Sequence, residues 1–373
     1  MIKKGITIVV LMVMMFACSS SDGDGDNKTK DNFDRQTMLI NWADNIIIPV
    51  FQDLNTQLDA LVTAKNTFVA TPNQTNLEAF RLAWLNAYKV WQYAEMFNIG
   101  KAEATNYVYQ MNVYPTTVAD IEANIANGTY DLTHANNNDA VGFPALDYLL
   151  YGVASGDAAI LNVYTTNANA SGYKTYVSDL VNQMKSQTQA VLTDWTSGYR
   201  TTFVNSTTNT ATSATNKLAN DFIYYYEKGV RANKVGIPAG VFSTTPLPEK
   251  VEGYYNKNVS KILILESMNA VQNFFNGKAY NDAGTTGASF KTYLDYLNIA
   301  KGGTDLSTLI NNQLNLARTK IQDLNANFSS QINTDNTKMT LAYDELQKAV
   351  VLFKVDMVQA FNISVDYIDA DGD

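Results

Sequence analysis

Residues 47–95 read IIPVFQDLNTQLDALVTAKNTFVATPNQTNLEAFRLAWLNAYKVWQYAE. The apolar positions run Ile47, Phe51, Leu54, Leu58, Leu61 and Phe68, with Lys65 the one break. Steps of three and four lay them along one face of a long amphipathic helix. Thr71-Pro72-Asn73 interrupts it. A second helix then carries Leu77, Phe80, Trp84, Tyr88 and Trp91, and Glu95 ends its buried stripe. Two such helices joined by a short turn predict an antiparallel pair.

The far end of the chain repeats the pattern. Ala317, Ile321, Leu324 and Phe328 are followed by Leu346, Val350, Phe353, Met357 and Phe361. The cluster Asn333-Thr334-Asp335 between them predicts the turn. Further helices are expected at about 171–198, 211–234, 257–275 and 288–299, and no stretch alternates as a strand would. The fold class is therefore all-α, with two packed antiparallel bundles at 33–200 and 211–366. The polar stretch from Ser197 to Thr215 would lie between them. Gly236 to Gly253 contains Pro238, Pro246 and Pro248, which excludes continuous helix and leaves a long ordered loop or a surface excursion.

At the N-terminus, Lys3 and Lys4 precede an apolar run from Ile6 to Met15, and Ala17 stands before Cys18. This is the layout of a secretory signal over residues 1–17, with Cys18 at the point where a lipoprotein signal peptidase cuts. The run is too short to cross roughly 30 Å of hydrocarbon as a helix. Cys18 is the chain's single cysteine, so no intramolecular disulfide supports the fold. Residues 18–32 begin Ser19-Ser20-Ser21-Asp22-Gly23-Asp24, a composition that reads as a flexible tether. The acidic stretch behind an acylated cysteine resembles the surface-export signal of lipoproteins from Bacteroidetes-type bacteria. The expected location is the outer membrane, at the cell surface, with the periplasmic face as alternative; the lipid anchor makes the membrane a partner. With 373 residues, a net charge of −9 and a pI near 4.7, nucleic acid is not an expected partner.

Few residues carry chemistry. Glu95, on a buried stripe, must be paired, hydrogen-bonded or protonated, unless its helix frays near Gly100 and the carboxylate reaches water. In Gly142-Phe143-Pro144-Ala145-Leu146-Asp147-Tyr148-Leu149-Leu150-Tyr151-Gly152, Pro144 suits a helix start and Asp147 its first turn. That gives Asp147 a structural reading beside a functional one. Tyr224 to Gly236 gathers tyrosines with Glu227, Lys228, Arg231 and Lys234. Exposed, this segment suits an anionic or aromatic ligand; buried, it is packing with ion pairs. His134, the one histidine, lies in a polar loop. Asp369-Ala370-Asp371-Gly372-Asp373 begins like a calcium loop and lacks its closing Glu. No GxSxG, HExxH, P-loop or dinucleotide fingerprint is present.

Four segments together resemble the imelysin family of exported helical proteins. They are Phe80 to Glu95, GFPALDYLLYG at 142–152, Glu227 to Pro238, and Val251 to Ser260 followed by Phe274-Phe275-Asn276-Gly277. The resemblance implies two packed bundles, a site near their junction around a G-x-H-x-x-E motif, and a link to bacterial iron uptake. The founding member was described as a metallopeptidase. Here the motif reads Gly142-Phe143-Pro144-Ala145-Leu146-Asp147: proline replaces the histidine and aspartate the glutamate. Zinc hydrolysis needs about three protein ligands, normally including an imidazole or thiolate, so peptidase chemistry is not expected. The expected function is ligand binding linked to iron, another divalent cation or haem. Glu95, Asp147, Arg231, Trp84, Tyr148 and Ser260 would form the binding set, with Glu95 and Asp147 the ligands of any metal. A degenerate metallopeptidase and an interaction module for an envelope protein, such as a TonB-type receptor, or for a glycan are the alternatives.

Overall fold

The computed structural model describes residues 31–282 and 284–367. The expected signal sequence, Cys18, the expected tether through Lys30 and the Asp369–Asp373 ending lie outside the described residues. The described residues from Phe33 onward form one compact unit.

Helix α1 (Arg35–Asn41) starts at Asp34, whose carboxylate accepts from the Thr37 backbone N–H. It runs through a π-helical turn, Trp42–Ile47, into α2 (Ile48–Ala70). Every apolar residue of the 47–68 series is fully buried. Lys65 is buried as well, and its Nζ donates to Asn182 Oδ1 at 3.1 Å. A lysine keeps its place on an apolar face by running its stem along neighbours to a polar partner. Asn73 accepts from the Asn76 N–H and starts α3 (Gln74–Ala94). Leu77, Phe80, Trp84, Tyr88 and Trp91 are all fully buried.

The remaining long elements pack around these two. Helix α4 (Gly142–Asp147) is a short segment that meets α3, and α5 (Ala170–Asp194) lies against α2. Helix α6 (Ala214–Tyr224) continues as a π-helical segment, Tyr225–Gly236. Helix α7 (Ser260–Phe275) packs on α3, so α3 is shared between α2 and α7. Helices α8 (Leu306–Gln322) and α9 (Phe328–Val351) pair with each other.

The α8–α9 turn departs from expectation. It falls at 323–327, where Asn327 caps α9 by accepting from the Ser330 N–H at 2.9 Å. Leu324 and Phe328 are buried on both sides of this turn, so the apolar spacing passes straight through it and hides it. The predicted break survives as a kink at Asp335, whose backbone is extended (φ −159°, ψ 84°). Helical structure also persists through Arg200–Asn205, which confines the irregular part of the Ser197–Thr215 stretch to 206–213. A two-stranded ribbon pairs Ala300–Lys301 with Thr304–Asp305. It turns on Gly302 and Gly303, both at positive φ, and is too short to show a period of two.

The two ends of the described chain meet. The Tyr293 ring is stacked by Phe33 on one side and Phe361 on the other, each at 4.3 Å between centroids. Arg35 donates to the Tyr293 hydroxyl at 2.6 Å. Among the described residues, no helix is long and apolar enough to cross a membrane.

Candidate functional site

The Gly142–Asp147 segment docks against α3. Gly142 has φ +73°, and a Cβ there would lie 2.2 Å from the Met111 carbonyl oxygen, so only glycine fits. Phe143 stacks on Tyr88 at 4.4 Å, and its carbonyl accepts from Trp84 Nε1 at 3.1 Å. Trp84 is thus an interior strut for the motif and lines no cavity described below. Asp147 is buried, and both its oxygens are engaged: Oδ2 accepts from Tyr255 N at 2.8 Å and Oδ1 from Asn256 N at 2.9 Å. Burial pushes its carboxyl up to about 7, against the pull of those two amides and with a further push from Glu252. The side chain anchors the loop after Val251 to α4.

That loop delivers Glu252 into a buried polar cluster on α3. Tyr88, Gln92 and Glu95, spaced four and three apart, share one helix face. Gln92 Oε1 accepts from Lys234 Nζ and from Ser267 Oγ, both at 2.7 Å, while its Nε2 donates to Glu252 Oε1 at 3.2 Å. Lys234 and Glu252 form a fully buried ion pair at 2.5 Å. Asn112 Nδ2 donates to Glu252 at 3.0 Å and reaches both oxygens of Glu95 at 3.3 and 3.4 Å. Tyr88 completes the chain by donating to Asn112 Oδ1 at 2.6 Å. Each member satisfies the next, which is the condition for a polar network to persist inside a protein.

Glu95 stands where this cluster opens to solvent. It follows α3 directly, is half-buried, and lines a pocket of about 240 Å³ together with Asn112, Tyr114, Asp221, Tyr225 and Lys228. Burial pushes its carboxyl up to about 7; Lys234 opposes that push and Glu252 adds to it. Tyr114 is also a wall of a second cavity of about 160 Å³, which contains Pro144 and Asp147. Glu95 and Asp147 therefore line neighbouring cavities rather than one cleft.

The other residues expected at the site line neither cavity. Arg231 is fully buried, bonding to Glu227, Gln347 and, at 2.7 Å, the Tyr343 hydroxyl. Tyr148 donates to Glu122 at 2.6 Å, and Ser260 to the Glu252 carbonyl at 2.7 Å. His134 is exposed, and its Nδ1 accepts from the Asn136 N–H. In the Tyr224–Gly236 segment, Tyr225, Tyr226, Glu227, Arg231 and Lys234 are buried, while Tyr224, Lys228 and Asn233 reach the pocket. Gln92, Asn112, Tyr114 and Glu252 were not singled out by sequence. The available signal was the four-residue step from Tyr88 to Gln92.

The residues present do not fit a catalytic zinc. Among the described residues, no three His, Cys, Asp or Glu side chains gather as ligands. Pro144 offers no donor, both Asp147 oxygens are held by backbone amides, and Glu252 is held by Lys234 and Gln92.

The fold is of the imelysin-like type. A family model described as imelysin matches residues 47–352, and the chain belongs to that family. An imelysin-like protein from Psychrobacter arcticum 273-4 is similar in fold at TM-score 0.68 and 19% identity, covering 90% of this chain and 97% of its own. A protein provisionally designated iron-regulated protein A precursor, from Parabacteroides distasonis ATCC 8503, is similar at TM-score 0.69 and 17% identity, covering 87% and 95%. No curated protein matches the sequence.

Proposed function

We propose that this protein is a non-catalytic binding protein held at the cell envelope by an acylated Cys18, and that its ligand occupies the Glu95 pocket. Glu95 carries the reading. It is a carboxyl pushed up to about 7 by burial, open to a cavity, and backed by a fully bonded buried cluster. A group poised between its charged and neutral forms in a pocket is a functional-site signature. The volume, about 240 Å³, lies under the roughly 300–1,000 Å³ of drug-sized sites, so the ligand is small and haem does not fit. The designation of the Parabacteroides relative makes iron the first ligand to try.

Calorimetric titration of the chain lacking residues 1–17 with ferric citrate, a ferrous salt, a siderophore and haem tests this at pH 6 and pH 8. Ferric citrate or the ferrous salt is expected to bind, at least tenfold more weakly to Glu95→Gln, while the siderophore and haem, both too large for the pocket, are not. Silence across the panel overturns the reading. So does cleavage of denatured casein that a chelator abolishes, since that is the mark of a metallopeptidase.

A further inference from the structure

A third recess lies on a different face of α3. It is a groove of about 560 Å³ between α2, α3, α7 and the segment after Phe275, and it shares no lining residue with the Glu95 pocket. Its size falls within the range of small-molecule sites, and Val90 is its one aliphatic wall. Asn86, Lys89 and Asn273 are half-buried in it and Asn281 stands exposed at it. None of these four side chains has a hydrogen bond or ion pair to protein among the described residues. Open to solvent and unpartnered by protein, these side chains can exchange water for the polar groups of a ligand.

The groove's two carboxylates are held differently. Tyr93 donates to Glu266 Oε2 at 2.8 Å, and Tyr280 donates to Asp53 Oδ2 at 2.6 Å. Gln57 occupies the other Asp53 oxygen at 3.1 Å. Glu266 lines the groove, and its Oε1, with no protein donor among the described residues, is left as an acceptor. Tyr93 and Tyr280 meet edge to face at 5.4 Å, which fixes both rings.

We propose that this groove binds a saccharide chain. Each sugar hydroxyl both donates and accepts, and each free amide offers two donors and an acceptor, so three unpartnered asparagines match neighbouring hydroxyls. Glu266 Oε1 accepts from another. The tyrosine pair presents ring surface to the C–H face of a pyranose. The scarcity of apolar wall excludes a lipid or a porphyrin. Asp53 and Glu266 against the single Lys89 leave the groove net negative, which selects a neutral or amino sugar over a sulfated or phosphorylated polyanion.

The chain lacking residues 1–17 is applied to an array of oligosaccharides, and bound members are titrated by calorimetry. At least one neutral or amino-sugar series is expected to bind. Affinity should fall tenfold or more in Asn86→Leu and in Asn273→Leu and stay unchanged in Glu95→Gln, which separates this site from the Glu95 pocket. The exposed change Asn281→Ala and the change Lys89→Ala serve as milder variants, and circular dichroism melts confirm that each variant folds. A blank array, binding that survives all four groove changes, preference for sulfated chains, or binding of reduced casein in place of sugars each overturns the proposal.

Discussion

Gln92 is an amide read by three partners at once, and its orientation is set by them: its oxygen faces Lys234 and Ser267 and its nitrogen faces Glu252. The buried pair it supports is sensitive to one-sided removal. Lys234→Met leaves the Glu252 carboxylate buried without its countercharge, and the expected loss is about 3–5 kcal/mol in a urea melt. Glu95 behaves differently because burial raises its carboxyl to about 7 from 4.5. Between those values the folded chain holds a proton that the unfolded chain has released, so stability falls as pH rises through that window. Glu95→Gln removes this loss. The variant is expected to gain roughly 1–3 kcal/mol over the parent between pH 5 and pH 8, read by urea melts at each pH. Glu95 and Asp147 were legible in the sequence because carboxylates on or beside apolar stripes stand out. Gln92, Asn112 and Glu252 were not. The first two carry no charge, and Glu252 arrives from a loop 160 positions beyond Gln92, a contact that helical spacing does not encode.

At the scale of elements, apolar periodicity located the long helices, since 3.6-residue spacing and burial are two views of one stripe. It failed at the α8–α9 turn, where Leu324 and Phe328 kept the spacing while Asn327 supplied the cap. A capping asparagine is a weaker mark than an apolar run, so Asn333-Thr334-Asp335 drew the break toward what is a kink. Helix α4 depends on a single backbone position. Gly142→Ala must adopt a left-handed conformation and displace the Met111 carbonyl, so a loss above about 2 kcal/mol is expected from strain and clash together. Because α4 carries Asp147, the same variant should speed hydrogen exchange at the Tyr255 and Asn256 amides that Asp147 accepts from. Unchanged exchange there would show that the loop holds itself.

At the scale of the whole molecule, the all-α class followed from the paired amphipathic stripes, and the family match over residues 47–352 agrees with it. The position of the site did not follow from spacing alone. It arises where α3, the π-helical Tyr225–Gly236 segment and the loop carrying Glu252 come together, and only the folded chain makes that meeting. The proposed anchor predicts incorporation of radiolabelled palmitate that is abolished in Cys18→Ala, with the variant moving from the membrane to the soluble fraction; an unlabelled parent chain would refute it. Such an anchor also gives the Phe33–Tyr293–Phe361 stack a mechanical meaning. Tension on such an anchor would reach the stack at Phe33, and Tyr293 would share it with Phe361 near the other end of the described chain. Three stacked rings would then resist shear between the two ends of the described chain.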